Sequence, residues 1–392
     1  MIYELIGQQA IVKRFQGLIG SRRFGSAYLF AGPEGAGKVS MALNLSSLLL
    51  CEAPQEGNAC GVCASCIKMR HLNHPNLHLI HATPTPKTKD PKNSDPFKGL
   101  TEADFSAIKD EREALTRDPY RGINIPGANQ ILISSIRHIK KELSMKPAED
   151  GRQVVLVLQI EKANIQALNS LLKILEEPPA RTTFILTTGS LDMIPATIRS
   201  RCQIVKFNPV PDTQLKEYLI TKGLDDSTAQ RIARLSAGNV QHAKTLMEAD
   251  FSEVDTKILD FWRIMMGGKV SERWVTTADI TQLIESYTAL AKSDHAEFRN
   301  ILRFMVFWLR DAQLLASTPE ANEQLINTHL IKELNNFVKF YPRFPYFEMI
   351  RKIEATLRDS EYNMYMPALL ANLFLDLRTS LLETRENPNA IK

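Results

Sequence analysis

The amino-acid sequence predicts an α/β domain built on a mainly parallel sheet, followed by two all-α regions. Three observations predict this fold class. Short apolar strands alternate with amphipathic helices up to about residue 208, which is typical of a parallel sheet covered by helices on both faces. A glycine-rich loop at residues 32–38 follows the first of these strands. From residue 209 onward, apolar residues recur only at helical spacing.

Each element of the α/β region has its own signal. The strands are apolar and rich in Val, Ile, Leu and Phe, and the helices carry apolar residues on one face. In chain order, the predicted elements are a helix at 11–19, a strand at 27–31, a helix at 38–50, a strand at 77–80, a strand at 154–158, a helix at 165–175 and strands at 183–187 and 203–207.

One segment interrupts this alternation. Residues 82–96 are rich in Pro, Lys and Asp, a composition that cannot bury a core. A short helix with a capping-box-like start is predicted at Thr101. We expect residues 82–130 to form a surface insertion, partly mobile.

The remaining sequence divides into two helical regions. Residues 209–250 are predicted to form a small three-helix unit and residues 251–392 a larger helical domain. The predicted helices lie at 212–221, 228–237, 240–249, 254–266, 296–315, 331–339 and 364–382. An aromatic group on the helix at 296–315 is expected to pack inside a helical bundle; its members are Phe298, Phe304, Phe307 and Trp308.

Composition limits the possible functions only broadly. The 392 residues are 44% hydrophobic and 23% charged, with a net charge of +4, which is ordinary for a soluble protein of two or three domains. A dedicated nucleic-acid binder would show a basic block, and the sequence has none. No apolar run is long enough to span a bilayer and no signal peptide is evident. We therefore expect a cytoplasmic protein without a membrane partner.

Four cysteines form a candidate metal site. Cys51, Cys60, Cys63 and Cys66 have the spacing C-x8-C-x2-C-x2-C, which can place four thiolates around one tetrahedral Zn²⁺ in a closed, structural site. A disulfide pair is an alternative that a reducing compartment disfavours. An iron–sulfur cluster is another, although the C-x3-C-P continuation of that motif is missing. Cys202 lies far away in sequence and is not part of the predicted site.

The glycine-rich loop is a candidate nucleotide site. Gly32, Gly37 and Lys38 fit G-x-x-x-x-G-K between a strand and a helix, and Gly35 lies within the loop. Such a loop holds phosphates with backbone N–H groups at a helix N-terminus. Weak binding of ATP or ADP is therefore predicted.

Two features argue against efficient hydrolysis at this loop. The Ser or Thr that would coordinate Mg²⁺ is replaced by Val39, and Ser40 is rotated by about 100° around the helix. The strand at 154–158 lacks the Asp that would hold Mg²⁺ at its end, and Glu161 falls about two residues beyond that place.

Several downstream segments closely resemble the core of AAA+ clamp-loader subunits. They are residues 169–179, 187–188, 198–202 and 238–243. With the cysteine module at 51–66, the resemblance covers residues 1 to about 250. It implies an AAA+ nucleotide-binding-type domain at 1–208, a helical lid at 209–250 and a helical collar at 251–392 that takes part in oligomerisation.

The resemblance also implies that the chain itself catalyses no reaction. Some clamp-loader subunits are stators, against which ATP-driven neighbours open and close. Their Ser-Arg-Cys motif corresponds here to Ser200, Arg201 and Cys202, and it implies that Arg201 reaches into the ATP site of a neighbour as an arginine finger. The implied partners are other subunit types in a hetero-pentameric ring and, through that complex, the sliding clamp and primer-template DNA.

Two other functions remain open from the sequence. The chain could be a motor subunit of the same complexes that hydrolyses ATP itself, against which Val39 and the missing Asp after Leu158 argue. It could also be a more distant AAA+ adaptor acting in repair or recombination. The four-cysteine module and the Ser-Arg-Cys motif together disfavour the adaptor.

Overall fold

A five-stranded parallel sheet organises the first of two structural units, Met1–Met247. The computed structural model describes residues 2–21, 24–85, 95–145, 149–248, 251–267, 269–270, 273–318, 320, 324–360 and 364–384. The strands are β1 (Ala27–Ala31), β2 (Leu77–Ile80), β3 (Gln153–Val157), β4 (Thr182–Thr188) and β5 (Gln203–Lys206). Their order in the sheet is β2-β3-β4-β1-β5.

Helices cover the sheet, and all residues of β1, β3 and β4 are buried. Strands buried on both faces read as continuous apolar runs, which explains why these three were recognisable in the sequence. The helices of this α/β region are α1 (Gln9–Ser21), α2 (Lys38–Leu50), α3 (Ala64–Arg70), α4 (Glu102–Arg117), α5 (Ile133–Ser144), α6 (Ile165–Glu176) and α7 (Ala196–Arg199).

Three further helices complete the first unit: α8 (Asp212–Thr221), α9 (Asp226–Ser236) and α10 (Val240–Met247). They are joined directly to the loop that follows β1. The Val240 N–H donates to the carbonyl oxygen of Gly35 at 3.2 Å, and the Val210 N–H donates to that of Gly238 at 3.0 Å. These bonds fix the N-terminus of α10 over the glycine-rich loop.

In the second unit, Glu248–Lys392, the described residues form helices and one short hairpin. Its helices are α11 (Phe251–Met265), α12 (Thr277–Ser293), α13 (His295–Ser317), α14 (Ile331–Phe340), α15 (Tyr346–Asp359) and α16 (Met366–Thr384), and the hairpin pairs β6 (Lys269–Val270) with β7 (Arg273–Trp274). Phe298, Phe304, Phe307 and Trp308 are all buried in this bundle, which confirms the packing role predicted for them.

The predicted fold class is confirmed: the topology is that of an AAA+ P-loop domain with a cysteine module, followed in the described part of the chain by helices and one short hairpin. Every predicted strand is present, with ends shifted by one residue at most. Among the described helices, α3, α5, α7, α12 and α15 were not predicted. In the same described part of the chain, no helix has both the length and the apolar character needed to cross a bilayer.

The insertion differs from the expected surface segment. The helix at Thr101 has the predicted capping box, but it continues to Arg117 and buries Ile108 and Leu115. Downstream of it, Tyr120, Ile123, Ile125 and Ala128 are buried as well. The structural reason is that this stretch folds back against the core of the sheet domain. Residues 86–94, the Pro- and Lys-rich part of the segment, lie outside the described residues.

Candidate functional site

The glycine-rich loop lies at the carboxyl edge of the sheet, between β1 and α2. Gly37 immediately precedes α2 with a φ of 89°, a backbone conformation that favours glycine. The first N–H groups of a helix have no partner within the helix and carry partial positive charge. The loop is therefore a candidate phosphate site.

Gly35 is required for a contact with the lid helices. Its φ is +69°, and a Cβ on this residue would stand 1.8 Å from the side-chain oxygen of Asn239. The Asn239 oxygen in turn accepts the N–H of His242 at 3.0 Å, in the first turn of α10. Only glycine allows the loop and the start of α10 to approach this closely.

A cavity of about 410 Å³ opens beside the loop. Its walls come from the loop, the ends of β3 and β4, the insertion and the start of α10. The lining residues include Glu34, Gly35, Gly37, Lys38, Val39, Tyr120, Asn124, Leu158, Gln159, Glu161, Thr187, Thr188, Asn239 and Gln241. Its position relative to the loop makes it the candidate nucleotide site.

Lys38 is engaged by its own loop. Its Nζ donates to the carbonyl oxygens of Gly32 and Pro33, each at 2.6 Å. Burial lowers the pKa of Lys38, while the carboxylates of Glu161 and Glu34 oppose that shift. A bound nucleotide would have to draw this ammonium away from the two carbonyl groups.

The cavity lacks a hydroxyl group at position 39, where a Mg²⁺-binding Ser or Thr is expected. Val39 lines the cavity with an apolar side chain. Ser40 is fully buried, and its hydroxyl donates to the backbone carbonyl of Glu4. The structure thus directs Ser40 away from the nucleotide, in agreement with the helical rotation argued from the sequence.

The end of β3 also differs from an ATPase site. Leu158 and Gln159 follow the strand where a metal-binding carboxylate is expected, and the Gln159 N–H is held by the Thr187 hydroxyl at 3.1 Å. Glu161 reaches the cavity from the next turn, where its Oε1 accepts the Gly189 N–H at 3.0 Å. Its Oε2 is buried and has no hydrogen-bond partner among the described residues.

Sequence reasoning missed the contributions of the insertion and the lid to this cavity. Tyr120 is buried, and its hydroxyl accepts the Ile6 N–H at 2.6 Å. Lys244 of α10 pairs with Asp118 at 2.8 Å and lies over the Tyr120 ring. The alternation of apolar residues at Ile123 and Ile125 was a signal that this stretch is not a free surface loop.

The four predicted cysteines come together in space. Their Sγ atoms all lie within 4.8 Å of one another. The Cys51–Cys63 and Cys60–Cys66 sulfur pairs are each 3.9 Å apart, so all four are free thiols and form no disulfide. Tetrahedral ligands at a Zn–S distance of about 2.3 Å stand roughly 3.8 Å from each other. The cluster therefore could hold a metal ion.

Backbone donors surround the sulfur atoms. The Cys60 N–H points at the Cys51 Sγ at 3.3 Å, and the N–H groups of Cys63 and Cys66 point at the preceding cysteine sulfur at 3.4 Å. The backbone N–H groups of Val62 and Cys63 lower the pKa of Cys60 to about 6, whereas burial raises the pKa of Cys51 and Cys66. The donors favour thiolates, burial opposes them, and a bound cation would stabilise the charged form of all four.

Arg201 stands apart from both sites. Its guanidinium forms an ion pair with Glu176 at 2.7 Å and also donates to the Thr197 carbonyl at 3.0 Å. It does not line the candidate nucleotide cavity of its own chain. Cys202 packs against the core, and burial raises its pKa to about 11. The Ser-Arg-Cys motif therefore places one partly exposed arginine next to a cysteine that packs against the core.

Comparison with known proteins agrees with this topology. The chain is 26% identical to the DNA polymerase III subunit delta' of Bacillus subtilis over 261 residues, covering 66% of this chain and 65% of the relative. It is 24% identical to the subunit tau of the same organism over 362 residues, covering 88% of this chain and 56% of the relative. The chain thus spans less than two thirds of the length of these relatives.

A solved structure adds a further similarity. The gamma subunit-related protein of DNA polymerase III from Thermotoga maritima shares 17% identity at a TM-score of 0.42, covering 94% of this chain and 99% of that one. Assignment to a family rests instead on sequence. A family model described as DNA polymerase III, delta subunit, matches residues 7–211, which is more than half of the chain. The chain therefore belongs to the DNA polymerase III, delta subunit family.

Proposed function

We propose that this chain is the delta' subunit, the stator, of a DNA polymerase III clamp loader. In this proposal it binds gamma/tau-type and delta-type subunits in a hetero-pentameric ring in the cytoplasm. The ring loads the sliding clamp onto primer-template DNA, and the chain supports that work without hydrolysing ATP. Family membership and the similarity to delta' of B. subtilis support the proposal.

One observation carries the non-hydrolysing part: the side chains at the two positions expected to bind Mg²⁺ are apolar. Val39 and Leu158 occupy positions that hold a hydroxyl and a carboxylate in active ATPases. Ser40, the nearest hydroxyl along the helix, donates to the Glu4 carbonyl. Mg²⁺ would therefore lose two of its usual anchors, although the loop amides and Lys38 can still hold a phosphate.

We further propose that the cysteine cluster holds structural zinc. The sulfur separations of 3.9 Å suit four ligands around a single ion. In an iron–sulfur cluster the cysteine sulfurs bind different iron atoms and stand farther apart. With four protein ligands the site leaves no open position for substrate, so its role would be to hold the loop between α2 and α3 in place.

Arg201 is proposed to act on the ATP site of a neighbouring subunit. The ion pair with Glu176 is partly exposed on both sides, so its net contribution to stability is small. A γ-phosphate presented by a neighbour could take the place of Glu176, because guanidinium binds phosphate oxygens with two parallel hydrogen bonds.

An ATPase assay of the isolated chain tests the proposal against its main alternative, a gamma/tau-type ATPase subunit. The similarity to the tau subunit of B. subtilis supports that alternative. The stator proposal expects no steady hydrolysis above background, with or without primed DNA. Hydrolysis that is abolished by Lys38→Ala would overturn the proposal and favour the motor subunit. The Lys38→Ala control separates activity of this chain from a contaminating ATPase.

A further inference from the structure

A second polar cavity lies on the outer side of β2, the edge strand of the sheet. Its volume is about 190 Å³. The described walls come from β2, the residues that follow it, α5 and one side of α4, and none of them lines the nucleotide cavity. This second cavity is therefore separate from the nucleotide site, and ligand binding here would not depend on the proposed function.

Three buried polar atoms in this cavity have no hydrogen-bond partner among the residues that the structure describes. They are the Thr83 hydroxyl, the Ser135 hydroxyl and His78 Nε2. Thr83 is 4% exposed and Ser135 is 6% exposed. Leaving such a group unpaired costs about 1–3 kcal/mol, and buried polar groups in folded proteins are almost always satisfied. Three of them facing one cavity indicate a site that takes a polar occupant.

Arg112 on α4 adds a partly buried positive charge to the same cavity. Its Nε and Nη2 face His81 Nε2 at 3.4 and 3.5 Å. His81 Nδ1 lies 2.8 Å from the carbonyl oxygen of Ala82, to which it must donate, so Nε2 carries the lone pair. The arginine is thus bound to a neutral ring. Within the described part of the chain, no carboxylate contributes to the pKa shift of Arg112, and burial is its only cause.

The surroundings leave this charge uncompensated. Burial lowers the pKa of both Arg112 and His81, the latter to about 4, so the imidazole stays neutral. The nearest carboxylate that lines the cavity, Glu142, is already bound by His78 Nδ1 at 2.9 Å and His138 Nε2 at 3.2 Å. A partly buried cation without an ion-pair partner among the described residues favours an anion beside it.

We propose that this cavity binds a phosphate-type oxyanion. Arg112, Ser135 and Thr83 offer hydrogen-bond donors to its oxygens. His78 donates through Nδ1 to Glu142, so its free Nε2 is an acceptor suited to the one proton of a hydrogenphosphate or phosphomonoester. The cavity is far larger than a single water molecule, roughly 30 Å³, and so admits a tetrahedral anion.

The anion could come free from solution or from nucleic acid. Arg112 and Phe97 also border a wider groove of about 810 Å³, which carries Lys109 and Arg117. This groove gives a larger ligand access to Arg112. Both sources present the same phosphate chemistry, so an experiment with two arms is needed to distinguish them.

The test uses the full chain carrying Lys38→Ala, which removes the phosphate-binding lysine of the glycine-rich loop. Inorganic phosphate is titrated at constant ionic strength against chloride while Tm is measured. At ten times its Kd, phosphate should raise Tm by about 3 °C or more. Arg112→Met should weaken binding by at least about tenfold and Ser135→Ala by about threefold. Arg263→Met is the matched control, since Arg263 is exposed, pairs with Asp260 and lines neither this cavity nor the groove, and it should change Kd by less than about twofold.

The second arm uses a single-stranded oligonucleotide with and without a 5′-phosphate. Oligonucleotide binding that is lost in Arg112→Met assigns the anion to nucleic acid, and a response to inorganic phosphate alone assigns it to a free ion. Crystals soaked in selenate should show an anomalous selenium peak beside Arg112. The absence of that peak, the absence of any phosphate effect, or equal binding by Ser135→Ala and the parent would overturn the proposal. Ser135→Ala decides the matter if Arg112→Met does not fold.

Discussion

At the scale of single residues, the candidate nucleotide cavity has the loop and lysine expected to bind phosphate and lacks two side chains expected to bind Mg²⁺. The loop amides and Lys38 are in place, whereas Val39 is apolar and the Ser40 hydroxyl is bound to Glu4. Glu161 reaches the same cavity from a later position and holds the Gly189 N–H. Each change affects one ligand of Mg²⁺, so restoring one of them should restore only part of the site.

Val39→Thr should therefore improve metal-dependent binding without creating a motor. One new Mg²⁺ ligand should tighten the binding of Mg-ADP by about three- to tenfold, and hydrolysis should stay at background because no carboxylate follows β3 at 158–159. Titration of a fluorescent nucleotide with Mg²⁺ and with EDTA measures this. Val39→Ala is the control and should bind like the wild type. Steady turnover by Val39→Thr would refute this account of the site.

The cysteine cluster gives a second prediction at this scale. Cys63→Ser should release the metal, because one of four ligands is lost, and should loosen the module while the parallel sheet stays folded. Elemental analysis should find one zinc per chain in the wild type. Cys202→Ser is the matched control and should keep the metal, since Cys202 lies outside the cluster. Iron in freshly prepared wild-type protein, or no metal at all, would contradict the prediction.

At the scale of elements, the contact between the glycine-rich loop and α10 ties the sheet to the lid helices. Gly35→Ala should lower the free energy of unfolding by at least about 2 kcal/mol, because the new methyl group meets Asn239 and the left-handed backbone disfavours alanine. Gly127→Ala is the control: its φ is +73° and nothing lies within 4 Å. It should cost only about 1 kcal/mol. Equal losses in urea unfolding would show that the loop–lid contact contributes nothing.

The sequence predicted elements well where one physical signal dominated. Strands β3 and β4 are buried on both faces and read as uninterrupted apolar runs, and the cysteine spacing was enough to group four thiols that meet in space. The insertion was harder because its composition is polar while a few apolar residues, such as Leu115 and Ile125, decide its packing. No local pattern shows that Tyr120 or Asn239 reaches the nucleotide cavity, since these contacts depend on the tertiary fold.

At the scale of the whole molecule, the largest effect on ATP hydrolysis is expected from Arg201, which lies outside the candidate nucleotide cavity of its own chain. Arg201 is held by Glu176 and by the Thr197 carbonyl on a short stretch between α7 and β5. In the proposed function the chain is one subunit of a clamp loader, so its contribution to chemistry should be visible only when its partners are present.

The ATPase of an assembled clamp loader tests this account most directly. Arg201→Ala should lower DNA-stimulated hydrolysis by at least about tenfold at the one ATP site that it serves, and Arg201→Lys should not restore it, because lysine lacks the planar donor fork. Folding and zinc content should stay unchanged, since a partly exposed arginine contributes little to stability. Glu176→Gln, which removes the ion pair and keeps the guanidinium, is the control and should remain near wild type. An Arg201→Ala complex with normal ATPase and normal clamp loading would contradict the account.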